Sequence, residues 1–369
     1  MKKHLTTLIL LTLPALAHAE VKMYGQIKSG IEVGQVKING SEGTEKSATT
    51  TRIVDNTSRF GFKGSEKLDD DLKAIWQVEQ RISLIDARSD WATRDSFIGL
   101  EGKFGKIRAG NISNQLNWMD NIDPWMYSNN ALGLGVFTRT GNRKVSLRYD
   151  TPKIAGFDAN IQIAPRDNQN PADSRTHQEP DHSQLDAGLN YSNAGYFVQA
   201  GYNLRKNRYQ DANGNYKDSH VGRLIAGYDA NNLFIGLGAQ HAKGYETGNS
   251  YIGYFTNGFN SYNGASIRDD KSEAVKVTDA AVTATYRIGN FKPQITYAHG
   301  WAAKGVNSGD ILVDKFDQVI LGGDYRFSKQ TSARLSLAHL RVGSKTRLNN
   351  GNTGKIQQTA AQLGLHHRF

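Results

Sequence analysis

VKMYGQIKSGIEVG, residues Val21–Gly34, puts Val21, Met23, Ile27, Ile31 and Val33 at odd positions and Lys22, Gln26, Lys28 and Glu32 at even ones. Successive side chains of an extended chain point to opposite faces, so one face of this stretch is apolar and the other polar or charged. A strand in a water-soluble sandwich also alternates, but it rarely does so over such a length.

The same period recurs downstream. Ser58 to Glu66 sets Phe60 and Phe62 against Arg59 and Lys63, and Leu72 to Ile82 sets Leu72, Ala74, Trp76 and Val78 against Lys73, Gln77, Glu79 and Arg81. Thr93 to Glu101, Gly105 to Asn111 and Arg143 to Asp150 follow, then Phe157–Ala164, Ser183–Tyr191, Tyr196–Lys206, Val221–Tyr228 and Leu233–Ala242. Glu273–Ile288, Phe291–Trp301, Lys315–Phe327, Thr331–Val342 and Gly354–Phe369 bring the count to sixteen strands. Short connections (Asp69 to Asp71, Ser192 to Gly195, Asp229 to Asn232, Gly289-Asn290, Ser328 to Gln330) alternate with long ones. The long ones are Gln35 to Asn56, Ser113 to Gly141, Pro165 to His182, Asn207 to His220, Lys243 to Ser272 and Ala302 to Asp314. A short–long rhythm is that of an up-and-down barrel with two different rims, and a Greek-key sandwich would not keep it. The expected fold is therefore all-β: a sixteen-stranded antiparallel transmembrane β-barrel. Tyr149, Tyr191, Tyr228, Tyr286, Tyr325 and Phe327, with Phe197, Phe234 and Phe291, gather at the short turns and suggest an aromatic girdle at one membrane interface.

Composition agrees. Gly is frequent (38), Pro rare (7), and 16 Tyr and 14 Phe suit strands and tight turns. Mean hydropathy is −0.56, which only one lipid-facing side per strand explains. There is no cysteine, and a chain of this size needs no disulfide framework. Residues 1–19 read as a cleaved signal peptide: Met1-Lys2-Lys3-His4, an apolar run from Leu5 to Leu16, then Ala17-His18-Ala19. Residues 20–369 are expected to form one barrel domain. The formal charge of +10 then argues for a surface or cavity that attracts anions, with no nucleic-acid partner.

The connection Ser113 to Gly141, SNQLNWMDNIDPWMYSNNALGLGVFTRTG, is long, lacks helical periodicity and is rich in Trp and Leu. Loops of this length are usually functional or disordered, and its apolar content argues against disorder. It is expected to fold into the lumen and set what may pass, with Trp118, Met119, Trp125 and Met126 as anchors on the wall.

Five segments together resemble the trimeric Gram-negative porins, and most closely the neisserial-type general porins. They are VKMYGQIKSGIE, SRFGFKGSEKLDDDLKAIWQVEQ, RDSFIGLEGKFGKIRAGN, VSLRYDTPKIAGF and the terminal LGLHHRF. They run from Val21 to Phe369 in order. The resemblance implies a sixteen-stranded barrel, a homotrimer, a third long loop inside the lumen, and an outer-membrane location among outer-membrane lipid and lipopolysaccharide. The implied function is passive diffusion of ions and small hydrophilic solutes, with no catalytic residue, cofactor or metal. It also implies that Arg59, before Phe60-Gly61-Phe62-Lys63-Gly64, and Arg94, before Asp95-Ser96-Phe97-Ile98-Gly99-Leu100, stand on a basic constriction wall.

Alternation puts Lys28, Lys63, Lys73, Arg81, Arg108 and Arg148 on the inward face as well, with Lys73 nearer a rim. The opposing acids are Asp120 and Asp123 of the long loop. A narrow waist with a field across it selects by charge. Basic residues outnumber acids at this level, so mild anion selectivity is expected. Two other functions compete: a membrane-surface lipid hydrolase, which needs a rim Ser or carboxylate beside a His, and an adhesin displaying Lys243 to Ser272 on a plugged barrel. Asp211-Ala212-Asn213-Gly214-Asn215 lacks the Gly and Glu of a calcium loop, and His177 and His182 lack a third zinc ligand. No phosphate loop or nucleophile elbow occurs.

Overall fold

The computed structural model describes residues 20–41, 43–85, 92–256, 273–348 and 352–369. The expected leader, residues 1–19, lies outside the described residues, as do residues 86–91 and most of the expected loop Lys243 to Ser272. Sixteen strands form the wall: β1 Glu20–Gly40, β2 Arg59–Asp69, β3 Leu72–Arg81, β4 Ser96–Gly102, β5 Gly105–Ser113, β6 Arg143–Asp150, β7 Phe157–Ala164 and β8 Gln184–Asn193. They continue as β9 Tyr196–Gln210, β10 Tyr216–Ala230, β11 Leu233–Thr247, β12 Ala274–Tyr286, β13 Phe291–Gly300, β14 Phe316–Arg326, β15 Thr331–Arg347 and β16 Thr353–Arg368. Short pieces extend the wall at the long-loop rim: Gly43–Lys46, Thr50–Asp55, Ala303–Gly305 and Ile311–Val313.

Every neighbour is antiparallel, and β16 returns to β1 in register from Gln26↔Arg368 to Gly40↔Gly354, so the sheet closes on itself. Closure leaves no edge with unpaired backbone groups, the one way a sheet can stand in hydrocarbon. The alternation sets the faces. Met23, Ile98 and Leu363 are 63%, 69% and 59% exposed on the outside, whereas Gln26 and Glu32 turn inward and are buried. The turn pairs Phe157 with Tyr191 and Tyr196 with Tyr228 at ring distances of 4.5 and 5.0 Å on the outer side, as a girdle requires. Phe197 and Phe234 differ from the expectation. They stack on each other at 6.0 Å and line the lumen, because their parity within β9 and β11 is the inward one.

Asn207 to His220, expected as a long loop, is mostly strand: β9 and β10 run almost to the tip. The Asp211 carboxylate accepts the N–H groups of Asn213 and Asn215, each at 2.9 Å, and so makes the tight turn. The main apolar core lies inside the barrel. Leu116, Met119, Ile122, Leu132, Leu134 and Phe137 of the long loop pack on Val221, Ile225, Ala281, Ile320 and Leu340 of the wall. A second segment, the helix Gly248–Gly253 with Phe255 behind it, adds Tyr251 and Ile252, and Phe255 meets Phe316 at 5.2 Å.

Candidate functional site

The long connection leaves β5 at Ser113 and re-enters the wall at Arg143 without rising out of the barrel. The Asn114 side chain caps the turn Gln115–Trp118, and a second turn, Gly135–Thr138, precedes the return. The inner wall has been shaped for it. A Cβ on Gly238 would come within 2.7 Å of the Phe137 ring and 2.8 Å of Ile122, and one on Gly201 within 2.7 Å of the Met119 sulfur. Only glycine lets the loop lie this close.

Buried polar groups of the wall then bind the loop backbone. Arg223 of β10 donates to Leu116 O at 2.7 Å, Phe137 O at 3.1 Å and Thr140 Oγ1 at 2.8 Å. Thr283 donates to Ile122 O at 2.6 Å, Trp125 Nε1 to Thr296 at 2.8 Å, and Gln318 Nε2 to the carbonyls of Asn130, Ala131 and Gly133. Met119, Trp125 and Met126 are buried against the wall, whereas Trp118 is 52% exposed and anchors nothing.

Below this ledge lies a cavity of about 1230 Å³ that reaches the short-turn rim at Asn193 and Asn232. Lys28, Arg59 and Arg94 line it together with Asp120 and Asp123, so five of the ten expected residues share one cavity. The two acids are not equivalent. Asp123 is spent on the loop itself: it accepts from Tyr127 Oη at 2.7 Å and Leu134 N at 3.1 Å. Asp120 is exposed to the lumen. Arg94 is ion-paired to Glu79, whose second oxygen lies 3.5 Å from Arg59 Nε and accepts from Tyr24 at 3.1 Å.

The other five expected basic residues lie elsewhere, Lys73 exposed beside the short turn, where it pairs in register with Lys67. Lys63 faces the mouth, its Nζ 5.4 Å from the Tyr24 ring centre, and Arg81 sits opposite Arg59 in register, exposed but outside the cavity. Arg108 and Arg148 share Asp150 at 2.5 and 2.8 Å under the start of the loop, where that one carboxylate offsets half of their charge. In their place the cavity is lined by Arg143, Arg287, Lys292, Arg334, Arg368 and His366. Parity would have found most of them: Lys292, Arg334, His366 and Arg368 occupy inward positions of late strands, which the resemblance did not single out. Arg143 is compensated by Asp95 and Arg334 by Asp324. Lys28, Arg287, Lys292 and Arg368 have no ion pair among the described residues. Among those residues no cluster of metal-ligating side chains occurs either.

The Gram-negative porin family matches residues 28–369. Major outer membrane protein P.IB of Neisseria sicca is 40% identical over the full length of both chains, and that of Neisseria meningitidis serogroup B / serotype 15 (strain H44/76) is 35% identical over the full length of both. Among solved structures, an anion-selective porin from Comamonas acidovorans superposes with a TM-score of 0.67 at 20% identity, over 95% of this chain and 100% of that one. The trimer form of OmpT from Vibrio cholerae gives 0.61 at 14% identity, over 95% and 99%. At such identities the structures speak for the fold alone. The closed barrel and the full-length kinship agree, and the chain belongs to the Gram-negative porins, channel-forming β-barrels of the outer membrane.

Proposed function

We propose that the chain is a general diffusion pore for ions and small hydrophilic solutes, mildly anion-selective, working as a homotrimer after loss of residues 1–19. The observation that carries the selectivity is the charge of the cavity. Eight lysines and arginines line it against three aspartates, and four of those cations have no ion pair among the described residues. Low-dielectric walls around a narrow lumen focus such a field, so anions are concentrated there. Two proteins of similar fold, an anion-selective porin and a porin in trimer form, point the same way.

The test is the current through single channels in a planar bilayer under a salt gradient. Conductance should appear in threes, with a reversal potential that favours anions. Arg59→Ala should move that potential towards cations. Arg94→Ala should move it the same way, since both arginines lie against the one Glu79 carboxylate and each loss removes one positive charge. A cation-favouring wild-type potential would overturn the selectivity, and folded protein without conductance would overturn the pore.

A further inference from the structure

At the short-turn end of the cavity, two aromatic rings face a wet and charged lumen. Phe197 is the second residue of β9 and Phe234 the second of β11, and both are half-buried on the inward face. Their planes lie 16° apart and their centres 6.0 Å apart. Each ring rests on a glycine of the wall. A Cβ on Gly227 would come within 2.6 Å of Phe197 Cζ, and one on Gly236 within 3.0 Å of Phe234 Cζ. Gly227 and Gly236 are direct cross-strand partners, so the rings lie side by side along the wall. Ile122 of the long loop reaches the same Gly236, which sets the pair against the constriction loop. Packing on glycine accounts for one face of each ring. The other face is apolar surface left in water, and a flat apolar solute would cover it.

Two cations stand beside this surface. Thr285 of β12 is the direct partner of Phe234, and Arg287 is the next inward residue along that chain. A diagonal neighbour of this kind lies about 7 Å away, within reach of a long side chain. The Arg287 backbone N–H donates to Asn232 O at 2.9 Å, which ties it to the turn before Phe234. Lys292 of β13 follows across the next short turn and lines the same cavity. Neither cation has an ion pair among the described residues, and Arg287 Nη1 is buried without a hydrogen-bond partner. Asp324, the partner of Lys292 in register, lies 3.4 Å from Arg334. The other acid close by, Asp229, is the direct partner of Phe234 on β10, the side away from Arg287. The platform is therefore polar end to end, negative towards β10 and positive towards β12 and β13.

We propose that Phe197, Phe234, Arg287 and Lys292 form a subsite for small aromatic carboxylates at the short-turn mouth of the channel. The ring of the solute lies on the two phenylalanines, and its carboxylate meets the guanidinium and ammonium groups, where a charge-assisted contact with arginine is strong. The inference rests on the anion-selective pore and names a class of solute that such a pore would retain in transit.

The test is single-channel current through the full-length protein in a planar bilayer at neutral pH, with block read against each channel's own open current. The probes are sodium benzoate, sodium acetate (the charge without the ring) and benzamide (the ring without the charge). Benzoate should interrupt the current at a concentration about tenfold or more below that needed of either control, since it alone makes both contacts. Phe197→Leu with Phe234→Leu should weaken its block about tenfold, whereas Phe234→Tyr, which keeps the ring, should retain most of it. Arg287→Gln should weaken benzoate about fivefold or more and leave benzamide as it was. Should the double leucine variant form no channels, Arg287→Gln decides by itself. Benzoate no better than acetate, or a block that survives Arg287→Gln in full, would overturn the subsite and leave the pore standing. Folded wild-type protein without any current would overturn the pore reading, and this inference with it.

Discussion

Arg223 shows how much one inward side chain can decide. It is buried at 2% exposure, and its guanidinium meets the Leu116, Met119 and Phe137 carbonyls, the Thr140 hydroxyl and the Gln240 amide oxygen. Arginine's fixed fork of five N–H donors suits such a set of acceptors, where a lysine would reach fewer. Replacing it with methionine keeps the length but leaves several buried acceptors without donors, at about 1–3 kcal/mol for each one left dry. Arg223→Met should therefore lower stability against guanidinium by about 3 kcal/mol or more and make the open-channel current noisier as the loop loosens. Arg223→Lys should recover part of both effects. An unchanged midpoint and quiet current would show that the loop is held by its apolar contacts alone.

At the scale of elements, the loops divide by what anchors them. In Pro165 to His182 the anchor is Asp173, which accepts from the Thr176 hydroxyl, Arg166 at 2.6 Å, and the N–H groups of Gln178 and Glu179. These bonds, Thr176 first, hold its carboxyl well below the usual carboxylate range. A depressed folded value means that the contribution is complete above the unfolded value near 4 and is lost only as pH falls through the folded one. The loop should thus keep its amide protection at pH 3, where ordinary carboxylates are protonated, and Asp173→Asn should remove that protection at neutral pH. Hydrogen exchange across residues 166–179 reads both, and loss of wild-type protection by pH 4 would refute the account.

The strands were legible because a lipid-facing side and a wet side impose period two, as β1 shows from Val21 onward. Their upper ends were not: β9, β10, β11 and β15 run past the apolar band as polar hairpin arms, where no hydrophobic alternation marks them. The basic wall was legible only in part. Parity says that Arg108 and Arg148 point inward, but only the fold shows that Asp150 lies between them. Arg223 looks like any lumen arginine, and its loop partners stand 83 to 107 residues away in sequence. The second inserted segment left no signal either, since Gly248–Gly253 is a helix too short to show a period.

For the whole molecule, one seam joins the two ends of the chain. Phe369 exchanges backbone hydrogen bonds with Gly25 at 3.0 and 3.2 Å, and β16 pairs with β1 along its length. Without that seam both strands would be open edges, ready to pair with another chain. Ser29 and Leu365 are direct partners across it. Opposed residues of an antiparallel pair have Cα atoms about 4.5–5.5 Å apart, within the range a disulfide spans. The chain has no cysteine of its own, so Ser29→Cys with Leu365→Cys gives a clean probe. Mild oxidation of the folded protein should produce a bond within one chain, seen as faster migration of the denatured monomer on a non-reducing gel. The same treatment in denaturant should produce it far more slowly, because the two cysteines then sit at opposite ends of a long flexible loop. A predominant bond between chains would mean that neighbouring copies complete each other's sheets. The single closed barrel, and with it the enclosed lumen on which the channel depends, would then be wrong.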